Sequence, residues 1–520
     1  MSGNELPDDI QELKKRVIEL HYKVIEKEKQ ITEKESLLND KSNQITHLQD
    51  MVNLLQRKNY APQSEVVSSD QLGIFNEIEE FAGLPTVDNE DDHEDEKDPK
   101  KPKKKKRARL PEHLPRKEVI IDLDEKDKVC IHDGARLEKI GEEISEKLEI
   151  IPAKVYVEKT IRYKYACPCC DEGLKTAPVP ASLLPKTMAS ASLVAYIIIS
   201  KFMDGLPLYR QETIFARIGA ILTRQSMARW LIEVSQKLMP LYNLLQDELL
   251  ARDYLNMDET TVQVLKEDGK KATSKSYMWV RYAAGTNPIM LYDYSPSRAG
   301  QVPIELLEGF KGYLQVDGYD GYAQVCKKNN LVRLGCMDHA RRKFKEAFST
   351  SGGKDIGKRG LVFFKALYKI EEKIEKMTSD EKKKVRQEQS KPILEEMKKW
   401  VDDKRPKVTP KSVGGKAVNY FYNEYPYLIG YLEDGKLNIS NCGVENKIRP
   451  FVIGRKNWLF STSVEGAQAS AMFYSLIETA KANDLEPFDW LRRVLEKLPH
   501  AKTMGDYEEL LPFSKKMIIS

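Results

Sequence analysis

No run in this chain of 520 residues approaches the roughly 18 consecutive apolar residues that a spanning helix needs. The most apolar window, Leu193 to Ile199, is too short for a bilayer. A secretory signal is missing from the N-terminus as well, so a cytoplasmic protein is expected. Charge of one sign is not in large excess: 84 basic residues face 80 acidic ones, a net charge of +4. Any nucleic-acid surface must therefore be local, carried by distribution rather than by total charge. Cysteine is scarce, with seven residues, an odd number. Without an export signal a disulfide framework is not expected, and thiols or metal ligands are the better reading. What remains is 41% hydrophobic and 32% charged, enough for about three to four domains at roughly 150 residues each.

The N-terminal segment, 8–57, reads as one long helix. Heptads with Ile10 at position a place Ile10, Val17, Val24, Ile31, Leu38, Ile45 and Val52 on one seam. The d positions are Leu13, Leu20, Lys27, Lys34, Lys41, Leu48 and Leu55. An apolar a register of this length predicts a coiled coil, and β-branched a with Leu at d leans towards a parallel dimer. The three lysines at d weaken its middle. A solitary solvated helix is the alternative.

Residues 60–118 have the composition of a linker. Asp88 to Asp98 holds eight acidic residues, and Lys100 to Arg109 holds eight basic ones; such blocks repel themselves and stay solvated. The basic run also suits non-specific phosphate binding. Beyond it, strand-like runs at Val119 to Ile121, Lys154 to Val157 and Thr160 to Tyr165 surround the cysteines. Cys167 and Cys170 have the C-x-x-C spacing of a zinc knuckle, and Cys130 with His132 or Asp133 could complete a tetrahedron. A small β module with unligated thiols is the alternative.

Residues 185–250 carry helical periodicity, with Pro207 able to open one helix and Thr223 able to cap another. In the last, Met227, Trp230, Leu231, Val234 and Leu238 share a face, while Arg224, Gln225 and Arg229 lie elsewhere. Short helices joined at Gly205 and Gly219 suit a helix-turn-helix whose last helix enters a major groove. An ordinary helical packing unit fits the same pattern.

After Ala251 the periodicity turns to strands: Tyr254 to Leu265, Ser276 to Ala284 and Pro288 to Tyr294. A helix is expected at 301–310, a strand at 312–317, a helix at 320–328, a strand at 331–336 and a helix from Asp338. This β-β-β-α-β-α-β-α order predicts an RNase-H-like α/β fold. Such a fold sets an acid on the first strand beside one at the end of the fourth, with a third on a later helix. Asp258, Asp317 and Glu445 stand at those places. Three carboxylates can hold two divalent ions about 4 Å apart, one activating an attacking oxygen and one stabilising a leaving oxygen at phosphorus. Hard oxygen donors suit Mg²⁺ or Mn²⁺. Strand alternation sends Glu259 to the opposite face; Asp320, Glu465 and Glu478 are weaker competitors. The charged helical stretch Leu361 to Trp400 lies in an insertion between Asp317 and Glu445.

The strings around Asp258 and Asp317, Cys336 to Phe344, Glu445 through Gly454 to Phe460, and Tyr474 to Lys481 resemble transposases of the insertion sequence 66 family. The resemblance covers most of the chain from about residue 110, together with the plan of an N-terminal coiled coil. It implies a DDE transposase with Asp258, Asp317 and Glu445 as its triad, cleaving and joining DNA at terminal inverted repeats. It further implies double-stranded DNA as partner, a bacterial cytoplasm with nucleoid association, self-association, and small accessory proteins of the same element. The family's zinc module has C-x-x-C in both halves, and here Asp133 replaces one cysteine. Cys336 and His339 share the C-x-x-H spacing of several DDE groups; two ligands make no metal site, so positioning or DNA contact is expected of them. Arg341, Arg342 and Lys343, with Arg449, Arg455 and Lys456, would hold phosphates. Trp458 would stack on an unpaired base or sit in the core.

The expected order is a coiled coil over 1–60, a linker over 61–118 and a zinc-binding-like module over 119–180. A helical DNA-binding region follows over 181–250, then the first part of the catalytic core over 251–348. A helical insertion over 349–438 precedes the second part of the core, 439–485, and a C-terminal element, 486–520. A structure-specific nuclease on the same fold and an inactive DNA-binding relative are the competing functions.

Overall fold

The computed structural model describes residues 14–35, a few isolated positions up to 147, and 154–165, 175–350 and 355–518. The chain divides into two compact units, 79–161 and the remainder. All of 14–35 is helical, and its seam is bare to solvent, with Val17 at 63%, Leu20 at 56%, Val24 at 51% and Ile31 at 54% exposure. The outer part of the heptad register (Ile10, Leu13, Leu38, Leu48, Leu55) and the ligand candidates Cys130, His132, Asp133, Cys167 and Cys170 lie outside the described residues.

The strand expected at Lys154 to Val157 is exposed and takes no regular secondary structure, with no ladder partner among the described residues. β propensity without a neighbour to bond makes no strand. Of Thr160 to Tyr165 only β1 (Lys164–Tyr165) pairs, antiparallel to β2 (Lys175–Thr176).

The helical region follows its capping signals. Ser190 accepts from the Leu193 N–H at the start of α1 (Ala191–Phe202), and Pro207 precedes α2 (Leu208–Arg217). Thr223 caps α3 (Arg224–Lys237) by accepting from Ser226 N–H. The α3 stripe Met227, Trp230, Leu231 and Val234 is buried, while Arg224, Gln225 and Arg229 are exposed. Helix α4 (Met239–Leu250) leads into the sheet.

The sheet is formed by β3 (Tyr254–Lys266), β4 (Lys275–Ala283), β5 (Ile289–Ser295), β6 (Tyr313–Gln315) and β7 (Val332–Leu334). Their order is β5-β4-β3-β6-β7. The first three are antiparallel, whereas β6 and β7 add in parallel. Helices α5 (Gln301–Leu306) and α6 (Asp320–Lys328) make the crossovers that parallel strands require. A short strand the periodicity did not reveal, β8 (Ser461–Ser463), pairs with the far end of β3.

Helix α7 (Met337–Thr350) follows β7, and the insertion then builds α8 (Ile356–Ile374), α9 (Ser379–Val385), α10 (Lys391–Lys404) and α11 (Val413–Leu428). Of these, α8, α10 and α11 share a second core with α7, in which Phe344, Phe364, Met397 and Phe421 are fully buried. The chain returns to the sheet as α12 (Cys442–Trp458) and α13 (Val464–Ala482). Small residues let α13 lie close to edge strand β5. Its Ser475 and Thr479 hydroxyls accept from the Tyr292 and Met290 N–H groups, at 2.8 and 3.0 Å. The last long helix is α14 (Pro487–Lys497).

Candidate active site

The register of the sheet brings the two aspartates together. Asn256 stands opposite Gln315 across the parallel β3–β6 pair. Asp258 and Asp317 each lie two residues further along, hence on the same face as those amides. Glu445 occupies the first turn of α12, just after Asn441 at its N-cap. Thus each acid is preceded by a buried amide, at i−2, i−2 and i−4, and Asn256 bonds to both of the other two. Asn256 Nδ2 donates to Gln315 Oε1 at 3.1 Å and to Asn441 Oδ1 at 2.8 Å. Asn441 Nδ2 donates to Met257 O at 3.0 Å, and Gln315 Nε2 to Asn438 O at 2.8 Å. Asn256, Gln315 and Asn441 are at most 1% exposed. Buried polar groups without partners are costly, so this network allows few other arrangements of strand, strand and helix.

The insertion braces the same frame. Glu424 of α11 pairs with Arg333 at 2.7 Å, and Arg333 also donates to the Asp317 carbonyl at 2.8 Å. Tyr420 lies so close to Gly318 that a Cβ there would meet its ring at 2.8 Å. Buried Arg386 donates to the carbonyls of Tyr431, Asp434, Gly435 and Leu437, holding the loop that leads to Asn441. None of these supports was legible from spacing, because each joins residues 16 or more positions apart, on different elements.

Electrostatically the acids conflict with one another. Burial pushes the Asp258 carboxyl well above its ordinary range, and the charges of Glu259, Asp317 and Glu445 push it further. Its local compensation is the Glu259 N–H, which donates to Asp258 Oδ1 at 2.8 Å. Alternation does assign Glu259 to the other face, where Arg298 and Tyr322 hold its carboxylate. Its charge nevertheless acts on Asp258 and feels Asp317. Glu445 is turned towards α7: Arg342 approaches Oε2 at 3.3 Å, His339 Nδ1 approaches Oε1 at 3.4 Å, and the Cys336 thiol approaches Oε1 at 3.8 Å. Among the described residues, the group of three ligand-type side chains whose donor atoms all lie within 4.8 Å of one another is Cys336, His339 and Glu445. Glu445 thus supplies a third donor to the Cys336–His339 pair.

The basic residues divide. Arg341 pairs with Asp338 at 3.2 Å and lies over the Tyr368 ring, and Arg342 reaches Glu445. Arg455 turns back to β3, donating to Thr261 O and to Thr260 Oγ1. Lys343 and Lys456 are exposed and Arg449 is partly exposed. Trp458 packs edge-on against Phe451, with Lys201 5.5 Å from its ring centroid. Of the competing acids, Asp320 and Glu465 are exposed at helix starts, and Glu478 is paired with Lys481.

With this arrangement in view, comparison with known proteins gives a consistent result. The family model described as Transposase IS66 family matches residues 186–469, and the IS66 C-terminal element matches 475–513. The zinc-finger binding domain of transposase IS66 matches 127–171, and Transposase C of IS166 homeodomain matches 47–119. Similar chains include the uncharacterized protein y4jD of Sinorhizobium fredii (strain NBRC 101917 / NGR234), 32% identical over 489 residues, 91% of this chain and 95% of the relative. Another from the same strain, y4qI, is 31% identical over 493 residues, covering 91% of this chain and 89% of its own length. The molecule is therefore a transposase, an enzyme of DNA mobility. The chain belongs to the IS66 family. Among the described residues no helix is long and apolar enough to cross a membrane.

Proposed function

We propose that the sheet with α6, α7 and α12 is an RNase-H-like catalytic core, and that Asp258, Asp317 and Glu445 hold two Mg²⁺ or Mn²⁺ ions for DNA cleavage and strand transfer at terminal inverted repeats. The observation that carries this reading is the amide-supported placement of three acids on neighbouring elements. The strand order, three antiparallel strands followed by two parallel ones, agrees with it. The donor set fits hard divalent ions, being all carboxylate oxygen, and the mutual repulsion at Asp258 is what such ions relieve. When bound, the ions supply an activated attacking oxygen and a stabilised leaving oxygen.

The chain's own residues do the rest. Asn256, Gln315 and Asn441 fix the spacing of the acids, and Arg342 and His339 orient Glu445, which with Asp258 and Asp317 would hold the ions. Lys343, Arg449 and Lys456 hold backbone phosphates, which gives affinity without sequence information. Arg224, Gln225 and Arg229, exposed at the start of α3, read base edges as part of a helix-turn-helix. The bare apolar seam at 14–35 pairs two chains as a coiled coil, and Cys130, Cys167 and Cys170 with His132 or Asp133 hold one structural zinc.

Asp258→Asn, Asp317→Asn and Glu445→Gln each abolish Mg²⁺-dependent cleavage of element-end DNA while retaining DNA binding. The assay scores cleaved ends and joined products on the same gel. Cleavage at the wild-type rate by one variant removes that residue from the triad, and cleavage by the wild type without joining makes the protein a nuclease.

A further inference from the structure

The carboxylate cluster leaves unexplained why its third acid is met by a thiol and an imidazole. Cys336 ends the turn after β7, and His339 lies one turn into α7, so C-x-x-H spacing aims both side chains the same way. Both converge on one oxygen, Glu445 Oε1, while Arg342 takes the other. Two of the three separations, sulfur to oxygen and nitrogen to oxygen, are those of a coordination sphere. Tetrahedral zinc bonded at about 2.3 Å to sulfur and about 2.0–2.2 Å to nitrogen and oxygen sets its S···O edge at about 3.6 Å and its N···O edge at about 3.4 Å. The observed edges are 3.8 and 3.4 Å. His339 Nδ1 is buried and makes no hydrogen bond, so this nitrogen is not committed to another group. The Asn441 N–H donates to Cys336 Sγ at 3.2 Å, the kind of outer bond that steadies a metal thiolate.

We propose that Cys336, His339 and Glu445 form a binding site for a thiophilic, zinc-like divalent cation, and that its occupation withdraws Glu445 from the Asp258–Asp317 site. Sulfur, imidazole and a single carboxylate oxygen select Zn²⁺ or Co²⁺ over Mg²⁺, which prefers six oxygens. Coordination needs the thiolate, so the Cys336 proton leaves to solvent as the ion binds. The fourth tetrahedral position is left to water. Occupancy places Glu445 Oε1 on the soft ion, and two sites then compete for one carboxylate. Binding at Cys336 stands apart from the catalytic reading; the competition rests on it.

The test uses the full-length protein with Co²⁺ as probe, comparing wild type with Cys336→Ser, Cys336→Ala and His339→Gln. Any Co²⁺ taken by the N-terminal cysteines is common to all four and cancels. The wild type is expected to bind one more equivalent than either Cys336 variant, with a thiolate-to-cobalt absorption band that both lose. His339→Gln, at a partly exposed position, should weaken that equivalent by at least about tenfold. Thermal melts identify any variant that has not folded, and His339→Gln then decides. Equal stoichiometry and equal spectra in all folded variants overturn the site. In a second arm Zn²⁺ is titrated into Mg²⁺-supported cleavage. The wild type should be inhibited, and Cys336→Ala should need at least about tenfold more Zn²⁺ for the same inhibition. Loss of the cobalt band without a change in Zn²⁺ sensitivity keeps the site and overturns the competition. Absence of cleavage by the wild type overturns the catalytic reading and leaves the cobalt result standing.

Discussion

Two clusters of buried charge flank the same strands, and they are built on opposite terms. On one face Arg281 is fully buried, yet every direction of its guanidinium is answered. It donates twice to Asp293, at 3.0 and 3.1 Å, to Gln246 at 3.0 Å and to the Leu306 carbonyl at 2.8 Å. Tyr242 completes the ring by donating to Asp293 at 2.6 Å. On the other face burial pushes the Asp258 carboxyl well up, and the charges of Glu259, Asp317 and Glu445, acids like itself, push it further. The first cluster is balanced within the chain. In the second, Arg342 answers Glu445 alone, and among the described residues no ion pair answers Asp258. Burial of charge alone therefore does not mark a functional site; burial without an internal counter-charge does.

Mutation should separate the two clusters in sign. Arg281→Met leaves Asp293 and Tyr242 without their cation, and breaking one side of a buried pair typically costs about 3–5 kcal/mol. Denaturant melts should show this loss with or without Mg²⁺; a metal-dependent loss would mean that the cluster is not purely structural. A smaller effect is expected at the frame of the acids. Asn256→Leu unpairs Gln315 and Asn441, at about 1–3 kcal/mol for buried groups left unsatisfied. The rate of cleavage should fall, and the Mn²⁺ concentration for half-maximal rate should rise. A fall in stability with unchanged Mn²⁺ dependence would reduce Asn256 to a structural residue.

The smallest effect has the opposite direction. Because the native Asp258 carboxyl titrates above its unfolded value, the folded state holds a proton that the unfolded chain releases. Stability of the metal-free protein is thus fully present below the ordinary carboxylate range and is lost as pH rises through the raised native value. Asp258→Asn should lack that slope and melt higher than wild type at neutral pH in a chelator, by a few degrees or less. Mg²⁺ should stabilise the wild type more than the variant. A variant that melts lower in chelator would show that no repulsion is relieved.

What spacing revealed was whatever a single element determines. Alternation along Tyr254–Lys266 separates Asp258 from Glu259, and the cap at Thr223 fixes the start of α3, because strand period and helix capping are local. The aspartate at the end of a short parallel strand was legible for the same reason. Interactions across the fold were not: the network in which Asn256 bonds both Gln315 and Asn441 joins positions up to 185 apart, and amides in a strand look like any polar residue. Charge is also longer in reach than direction. Glu259 points away from Asp258 yet acts on it, which alternation cannot express. Arg455 carries the sequence look of a phosphate ligand, but Thr260 and Thr261 engage one side of its guanidinium. The meeting of Glu445 with Cys336 and His339 depends on the first turn of α12 lying beside the start of α7, and pairwise spacing stops at two ligands.

The way α13 meets the sheet has a consequence for assembly. A free strand edge offers its N–H groups to any passing chain, and copies gathered side by side on one nucleic acid are at high local concentration. Here the Met290 and Tyr292 N–H groups are already taken by Thr479 and Ser475. On the β5 side these two groups are therefore withheld from any added strand, which shields that border of the sheet, and the register behind it, from pairing with another chain.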